Sequence, residues 1–227
     1  MKREIITTAD GSTTIHLPDW NEQYHSKHGA IQEAYHVFIK HGLHHVCHPE
    51  LVSGSHQELS ILEIGFGTGL NAFITYLEAE KSNLKINYVG VEGYPVSPEE
   101  VQYLNYSSEL KAEKKDFIFK RFHDISWEDK HQISTNFNVT KQQKLFHEIE
   151  DKNQYHLIYF DAFGARVQPE LWTETIFKKM YDALKEKGVL VTYAAKGSVR
   201  RAMQSVGFLV EKLPGPPGKR EMLRATR

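Results

Sequence analysis

The stretch Leu62-Glu-Ile-Gly-Phe-Gly-Thr-Gly-Leu-Asn71 decides the fold, because an apolar run reaches an acidic residue and then breaks into alternating glycines. This pattern predicts a strand, a tight turn and the start of a helix. Gly65, Gly67 and Gly69 allow backbone to pass close to a ligand where a Cβ would collide. A helix starting near Leu70 presents unpaired N–H groups at the same place.

The spacing of these glycines distinguishes between classes of nucleotide site. Gly-x-Gly-x-Gly is neither the Gly-x-Gly-x-x-Gly of a dinucleotide site nor a phosphate-binding loop with Gly-Lys-Ser/Thr. Preceded by Glu63, the loop suits an uncharged or zwitterionic nucleoside such as S-adenosylmethionine. The alternative is an ordinary glycine-rich turn between a strand and a helix.

Composition predicts one globular domain. The chain has 227 residues, of which 40% are hydrophobic and 25% are charged, as in a single α/β domain. With 28 basic against 29 acidic side chains the formal net charge is −1, so any nucleic-acid surface must be a local patch. We expect a monomer.

Several classes are excluded or disfavoured by local features. Cys47 is the only cysteine, so no internal disulfide is expected. The first residues lack the apolar core of a signal peptide, and no apolar run approaches the roughly 18 residues that span a bilayer, so we expect a cytoplasmic protein. The run His41-Gly-Leu-His-His-Val-Cys-His48 lies in a predicted loop and matches no tetrahedral zinc signature, so no metal is expected.

The order of elements predicts an α/β fold with a mostly parallel sheet. Strands are predicted at residues 59–64, 86–91, 117–122, 156–160 and 189–193, with helices at 71–77, 98–103, 169–185 and 198–206. Strands at 208–213 and 222–226, joined by Pro214-Gly-Pro-Pro-Gly-Lys-Arg220, predict a carboxy-terminal antiparallel hairpin.

Two further segments complete the predicted architecture. Residues 1–58 read as an N-terminal β/α extension packed on the core, with short strands, a helix at 31–39 and a polar loop at 53–55. Residues 59–227 are predicted to form the core, a Rossmann-like sheet. The polar stretch at about 127–153 reads as an insertion, with a helix at 141–150 as one candidate within it.

Acidic residues recur at the predicted strand ends: Glu63, Glu92, Asp124 and Asp161. Ligands of such sheets bind beyond the carboxyl ends of the strands. Glu92 is placed to accept both ribose hydroxyls of a nucleoside, and Asp124 to accept from the adenine amino group. Each acid alone has the simpler interpretation of a solvated loop residue, but four in series favour a nucleoside site.

Asp161 is the predicted catalytic residue, because it follows the fourth strand, where a methyl group would be delivered. A primary amine acceptor is mostly protonated at neutral pH and must lose a proton before its lone pair attacks. A carboxylate can orient that amine, stabilise growing positive charge and pass the proton outward. The alternative is a helix N-cap or turn residue.

The acceptor side is predicted from basic and aromatic residues. Phe163, Tyr24 and Trp172 are candidates for stacking on a base, although such aromatics are more often core. The candidate phosphate contacts, called the basic rim, are Lys196, Arg200, Arg201, Lys219 and Arg220. Their alternative is a solvated helix face and a hairpin tip.

Motifs along nearly the whole chain resemble the methyltransferase domain of the tRNA wobble-uridine enzyme MnmC and its stand-alone counterpart MnmD. The most specific are Phe-Gly-Thr-Gly-Leu-Asn at 66–71 and Gly-Lys-Arg-Glu-Met at 218–222. The other motifs are the segment 21–38, Glu92-Gly-Tyr-Pro95, Phe122-His-Asp-Ile125, Phe160-Asp-Ala-Phe-Gly164, Gln168-Pro-Glu-Leu-Trp172 and Lys196-Gly-Ser-Val-Arg-Arg201.

The resemblance implies the Rossmann-like α/β fold of the class I S-adenosylmethionine-dependent methyltransferases. It also implies methylation of the exocyclic amine of 5-aminomethyl-(2-thio)uridine, giving 5-methylaminomethyl-(2-thio)uridine. It implies that Asp161 lies closest to the chemistry and that the basic carboxy-terminal loop helps to receive the anticodon arm of tRNA. The implied cofactor contacts are Glu63, Gly65, Phe66, Gly67, Thr68, Gly69, Asn71, Glu92, Asp124 and Asp161.

Two departures from the family pattern carry expectations of their own. Ala165 stands where the family often has proline, so a less rigid acceptor loop is expected. The sequence ends at Arg227 without a flavin-binding domain, so methylation without the FAD-dependent oxidoreductase activity is expected.

Two alternative functions stay open. One is a small-molecule amine methyltransferase or aminopropyltransferase of the same fold, although aminopropyltransferases typically carry paired acids where Asp161 is followed by Ala-Phe-Gly. The other is a non-catalytic RNA-binding or scaffold protein, which the complete glycine and acid series disfavours.

Overall fold

The computed structural model of the chain describes residues 2–47 and 58–227. The N-terminal segment forms a small antiparallel sheet of β1 (Glu4–Thr7), β2 (Thr13–Leu17) and β3 (Glu22–Gln23). Helix α1 (Ala30–Ala34) follows and continues into a π-helical stretch, Tyr35–Leu43, and then α2 (His44–Val46). The polar loop predicted at 53–55 lies outside the described residues.

The loop predicted at 41–48 is wrong as far as Val46, because residues 41–46 are helical. The apolar face continues through Val37, Phe38 and Leu43, all buried. At Gly42 the helix lies so close to the central sheet that an added Cβ would be 3.1 Å from Val191 Cγ2. The histidines make this segment look polar in the sequence, but they do not end the helix.

The central sheet begins with β4 (Leu59–Ile64), followed by α3 (Leu70–Ser82), β5 (Ile86–Val91), α4 (Pro98–Val101), α5 (Tyr106–Glu109) and α6 (Asp116–Asp124). Next come β6 (Lys130–Ser134), β7 (Phe137–Gln142), β8 (Tyr155–Phe160), α7 (Glu174–Ala183) and β9 (Leu184–Thr192). The chain ends with α8 (Gly197–Ser205), β10 (Leu209–Pro214) and β11 (Glu221–Thr226).

The strand order is β10-β11-β9-β8-β4-β5-β7-β6, and the five strands from β9 to β7 are parallel. Strands β10 and β11 form the predicted antiparallel hairpin. The order in which strands are added across the sheet reverses at β4, which lies between β5 and β8. A crevice therefore opens at the carboxyl ends of these three strands. The predicted Rossmann-like α/β class is confirmed.

The predicted third strand at 117–122 is wrong, because this segment lies within helix α6. Ile118, Phe119 and Phe122 are buried at helical spacing. The third parallel strand is β7, which pairs in register with β5. Reading 127–153 as an insertion is therefore also wrong. The helix at 141–150 is wrong too, because β7 continues to Gln142 and the helical part of this range is the 3₁₀ turn Phe146–Glu148.

Strand β7 is hard to see in the sequence because a lysine occupies a core position. Phe137, Val139 and Lys141 are buried on one face of the strand. Lys141 Nζ donates a hydrogen bond to the His123 carbonyl at 2.8 Å and lies 4.6 Å from the Trp127 ring centroid. Burial lowers the pKa of Lys141 to about 8. The charged side chain thus caps the end of α6 from inside the fold.

Polar contacts hold the N-terminal sheet against the loops that follow β5. Arg3 Nη1 lies 2.9 Å from Glu100 Oε2, and the Thr13 N–H donates to Asn105 Oδ1 at 2.8 Å. These contacts place β1 to β3 over the carboxyl ends of the central strands. Within residues 2–47 and 58–227, none of the helices is both long enough and apolar enough to cross a bilayer.

Candidate active site

A cavity of about 940 Å³ lies at the carboxyl ends of β4, β5 and β8. Its walls come from the glycine loop (residues 65–69), the segments that follow β5, β7 and β8, and the N-terminal extension. From the core these include Gly65, Phe66, Gly67, Asn71, Glu92, Leu145, Phe146, His147, Asp161 and Phe163, and from the extension Arg3, Leu17, Trp20, Tyr24 and His25.

The glycine loop needs two of its glycines for steric reasons. Gly65 has φ +88°, and a Cβ there would lie 2.8 Å from the Asp161 carbonyl oxygen. Gly67 has φ +51°, and a Cβ there would lie 3.1 Å from the Tyr24 ring, which also lines the cavity. Both conformations are unfavourable for residues with a Cβ. The loop therefore forms a backbone surface that a nucleoside can approach closely.

Glu92 is fixed at the edge of the cavity by backbone donors. Its Oε2 accepts from the Gly67 N–H at 3.0 Å, and its Oε1 accepts from the Tyr94 N–H at 2.9 Å. The carboxylate thus joins the glycine loop to the segment after β5. Lone pairs left on both oxygens suit it to accept the ribose hydroxyls of a nucleoside.

A chain of hydrogen bonds connects the buried core to Asp161. Tyr88 OH donates to Glu63 Oε2 at 2.8 Å, and Asn71 Nδ2 donates to Glu63 Oε1 at 2.9 Å and to Asp161 Oδ2 at 2.8 Å. Glu63 is fully buried, and burial raises its pKa well above the usual value. Glu63 lies behind the cavity wall, so its role is to orient Asn71, which orients Asp161.

Asp161 carries the electrostatics expected of a base. Burial raises its pKa to about 7 and Glu33 adds to the rise, whereas the Asn71 hydrogen bond and Lys219 oppose it. Asn71 is bonded to Oδ2, so Oδ1 is available to a bound group in the cavity. A carboxylate with a pKa near neutrality both accepts and releases a proton at physiological pH.

The raised pKa of Asp161 predicts a pH-dependent effect on stability. The folded-state pKa of about 7 exceeds the usual aspartate value of 3.8, so between these pH values the folded state keeps a proton that the unfolded state loses. Stability from this group is therefore present at low pH and is lost as pH rises through 7. Asp161→Asn should raise the free energy of unfolding by about 1 kcal/mol or more at pH 8.

At pH 4 the same substitution should change the free energy of unfolding little, because the folded protein then already holds a neutral group at position 161. Urea denaturation of both proteins at the two pH values measures the difference. If Asp161→Asn changed the free energy of unfolding equally at pH 4 and pH 8, Asp161 would not be a buried carboxylate that ionises between these pH values.

Phe163 forms an aromatic wall with two rings of the N-terminal extension. Its ring centroid lies 5.0 Å from that of Tyr24 and 5.8 Å from that of Trp20, both edge to face. Trp172 differs from these rings, because it is 5% exposed and its Nε1–H donates to the Phe163 carbonyl at 2.8 Å. Trp172 is thus a core residue that supports the wall, and the stacking role considered for it is wrong.

Four predicted cofactor residues do not line the cavity: Glu63, which lies behind its wall, and Thr68, Gly69 and Asp124. Thr68 is fully buried and accepts from Tyr106 OH at 3.0 Å, and Gly69 caps α3 with φ +73°. Asp124 is exposed at the end of α6 and is not among the described residues of the cavity wall. The strand-end argument for Asp124 is wrong, because the segment before it is a helix. Residues after β7, from Leu145 to His147, occupy that side of the cavity.

The basic rim divides into two groups. Lys196, Arg201 and Arg220 are exposed. Lys212, and after it Arg220 and Arg200, hold the pKa of Glu221 below its usual value, so α8 and the hairpin bring their cations towards one carboxylate. Lys219 instead forms an ion pair with Glu33. Expecting Lys219 to be a free phosphate contact is therefore wrong for this conformation.

Sequence reasoning missed several residues of the cavity. Arg3, Leu17, Trp20 and His25 come from the extension, whose strands give no sign of which loops they cover. Leu145, Phe146 and His147 were missed because β7 was not recognised. Among the described residues, His, Cys, Asp and Glu form no group of three or more that could hold a metal ion.

A family model described as S-adenosyl-L-methionine-dependent methyltransferase matches residues 107–227. The chain belongs to this family. The cofactor prediction is thereby confirmed, and the cavity fits it, since the glycine loop leaves a cradle that a Cβ would fill and Glu92 presents a carboxylate beside it.

Curated relatives agree with the resemblance found in the sequence. The chain is 30% identical over 234 residues to the "tRNA 5-methylaminomethyl-2-thiouridine biosynthesis bifunctional protein MnmC" of Cupriavidus metallidurans, covering 96% of this chain and 33% of that protein. The same-named protein of Hydrogenovibrio crunogenus is 27% identical, with 97% and 33% covered. The chain thus spans about a third of the length of these relatives.

Solved structures share the fold. "MNMC2 from Aquifex Aeolicus" superposes with a TM-score of 0.78 at 24% identity, covering 99% of this chain and 69% of that one. Spermidine synthase from Thermotoga maritima superposes with a TM-score of 0.52 at 16% identity, covering 98% and 72%. At these identities the likeness establishes the Rossmann-like methyltransferase architecture.

Proposed function

We propose that this chain methylates the aminomethyl nitrogen of the tRNA wobble uridine, converting 5-aminomethyl-(2-thio)uridine to 5-methylaminomethyl-(2-thio)uridine in the cytoplasm. The observation that carries the proposal is Asp161, a carboxylate with a pKa near 7 between the glycine loop and the aromatic wall. The printed names of the curated relatives support the choice of tRNA. The proposal concerns methyl transfer alone.

The residues of the cavity divide the work of this reaction. S-adenosylmethionine supplies a methyl carbon on a positively charged sulfur, which keeps the electron pair of the broken carbon–sulfur bond. Gly67 and Glu92 would hold the nucleoside, and Asp161 would align the neutral amine so that its lone pair forms the new nitrogen–carbon bond. Before this step Asp161 would take the proton that the acceptor ammonium must lose, and after it Asp161 would release that proton to solvent.

The acceptor nucleotide would enter past the aromatic wall. Phe163 lies two residues after Asp161, and its edge is packed by Tyr24 and Trp20, which limits how far the ring can move. An unstacked uracil base placed against such a wall gains stacking energy without base-specific hydrogen bonds. Exposed Lys196, Arg201 and Arg220 would contact the phosphates of the anticodon arm.

Mass spectrometry of wobble nucleosides tests this proposal. Bulk tRNA that carries 5-aminomethyluridine is incubated with the protein and S-adenosylmethionine, digested and analysed. A gain of one methyl group, absent with Asp161→Asn, is the expected result. Unmodified tRNA with cofactor binding intact would contradict the proposal, and methylation or aminopropylation of putrescine or spermidine in parallel reactions would favour the small-amine alternative.

Removing two exposed cations should weaken tRNA binding through the loss of phosphate contacts. For Lys196→Ala combined with Arg220→Ala, the slope of log Kd against log salt should become shallower by about 1.4 to 1.8, because each phosphate contact contributes about 0.7 to 0.9. Fluorescence anisotropy between low and moderate salt measures the slope. The control is Lys152→Ala with Lys187→Ala, two exposed lysines at the opposite end of the sheet.

The control pair should leave the salt slope unchanged. An unchanged slope in the Lys196 and Arg220 variant as well would remove these two residues from the RNA surface.

A further inference from the structure

Lys219 points into the protein although it belongs to the hairpin tip (residues 215–220). Its ammonium forms an ion pair with Glu33 of α1 and lies 3.7 Å from the centroid of the Tyr193 ring. The Glu33 side chain is only 9% exposed and that of Lys219 is 31% exposed. A carboxylate and an ammonium this sheltered interact more strongly than a surface pair.

Further contacts fix the hairpin tip in this position. His36 Nε2 lies 2.8 Å from the Pro214 carbonyl oxygen, to which a ring N–H donates. Gly218 has φ +80°, and a Cβ there would lie 2.2 Å from the His28 ring, so the tip packs directly on the N-terminal segment. The Lys219 ammonium is therefore placed by packing on both sides, and not only by its own ion pair.

Tyr193 connects the ion pair to the segment that carries Asp161. Tyr193 OH donates to the Ala162 carbonyl at 2.8 Å, which joins the ring under the Lys219 ammonium to the residue after Asp161. Both charges act on Asp161, since Glu33 raises its pKa and Lys219 lowers it. The other titratable groups around this cluster are Glu63, Tyr193, Glu22, His25, Glu92 and Arg166.

We propose that Glu33 and Lys219 are an electrostatic positioning pair for the acceptor amine, in which Glu33 helps to attract the ammonium form and Lys219 favours its conversion to the neutral nucleophile. This inference rests on the proposed amine acceptor. It gives the family-like Gly-Lys-Arg-Glu-Met segment two roles, because Lys219 is paired with buried Glu33 whereas Arg220 is exposed.

The charge balance explains why both members are needed. Ionised Asp161, Glu33 and Lys219 together carry one negative charge, which an incoming ammonium neutralises. Without Lys219 two uncompensated carboxylates would hold the ammonium and retard loss of its proton. Without Glu33 the cluster would attract the ammonium less, and Asp161 would become a weaker base because its pKa would fall.

The test compares Lys219→Met, Glu33→Gln and the double variant with wild type. Asp161 is titrated by ¹³C NMR of labelled aspartate without substrate, its signal being assigned from Asp161→Asn. The midpoint should rise by about one pH unit in Lys219→Met, fall by a similar amount in Glu33→Gln and return towards wild type in the double variant. Lys212→Met, which breaks the exposed Lys212–Glu221 pair of the same hairpin, should leave it unchanged.

Methyl transfer to aminomethyl tRNA is then measured against pH. At pH 7 Lys219→Met should lower kcat about tenfold or more without raising KM, and the double variant should recover part of the loss. A higher KM with a shallower salt slope and an unmoved Asp161 titration would identify Lys219 as a phosphate contact and overturn the inference. Midpoint shifts in the same direction for both single variants would overturn it as well.

Failure of this inference and failure of the proposed function give different results. If the wild-type protein transfers no methyl group to tRNA, the proposed function fails, and the Asp161 titration still decides whether the pair acts on this carboxylate. If wild type is active but the single variants show no opposed shifts, the inference alone fails. Thermal unfolding of each variant separates both cases from loss of the fold.

Discussion

Asp161→Asn lowers kcat for methyl transfer by about 10²- to 10⁴-fold, the usual range for loss of a general base, while Kd for S-adenosylmethionine changes less than about threefold. The reason is geometric. Asn71 holds Oδ2 of Asp161 at 2.8 Å, so the side chain is already aimed, and an amide of the same shape keeps that contact but cannot take a proton. Single-turnover kinetics and calorimetric titration of the cofactor measure the two quantities.

Asp161→Ala serves as the second variant, because it also removes the contact with Asn71. Its loss of kcat should equal or exceed that of Asp161→Asn. Asp161→Asn should also be at least as stable as wild type at pH 8, so lost activity is not lost fold. A Kd that rises as steeply as kcat falls would instead assign Asp161 mainly to cofactor binding.

Gly67→Val abolishes binding of S-adenosylmethionine, with Kd rising by about 100-fold or more. Gly67 has φ +51°, which a β-branched residue adopts only with strain, and its Cβ would lie 3.1 Å from the Tyr24 ring. If the backbone shifts to relieve the strain or the close approach to Tyr24, it moves the N–H of residue 67, which donates to Glu92 Oε2 at 3.0 Å. The substitution therefore narrows the space beside the glycine loop and also releases the Glu92 carboxylate, which we propose binds the ribose.

Gly197→Val is the matched control for this prediction. Gly197 is exposed at the start of α8, and an added Cβ would meet only the flexible end of Arg201 at 3.3 Å. Cofactor affinity should stay within about twofold of wild type in the control. Wild-type affinity in Gly67→Val would mean that the nucleoside lies elsewhere in the cavity.

The sequence predicted those strands and helices in which apolar residues recur at the spacing of a single type of secondary structure. Strands β4 and β5 have the predicted bounds because their apolar runs are interrupted only where the chain turns. Strand β7 was not predicted, because its third inward position is Lys141, whose ammonium is satisfied by a backbone carbonyl that only the fold supplies. Helix α6 was taken for a strand because Phe117 to Phe122 is short and rich in aromatic residues, and short apolar runs are ambiguous.

Residues of the candidate site were predictable where the same short segment sets the backbone position and carries the side chain or N–H that faces the ligand. The glycine loop, Glu92 and Asp161 lie at strand ends, and strand ends of a parallel sheet meet at one edge, so their places follow from sequence order. Asp124 was misplaced because its assignment depended on the wrong third strand. Trp20 and His25 were not predicted because a covering sheet is positioned by contacts far apart in sequence.

The sequence by itself determined the class of fold, the glycine loop and the three acids at strand ends, Glu63, Glu92 and Asp161, because each depends on local backbone geometry and on the period of apolar residues. Only the tertiary structure decided that Glu63 acts through Asn71, that Glu33 raises the pKa of Asp161, and that Lys219 pairs with buried Glu33. These relations join residues up to 186 positions apart, and their energies depend on burial and distance, which no local pattern encodes.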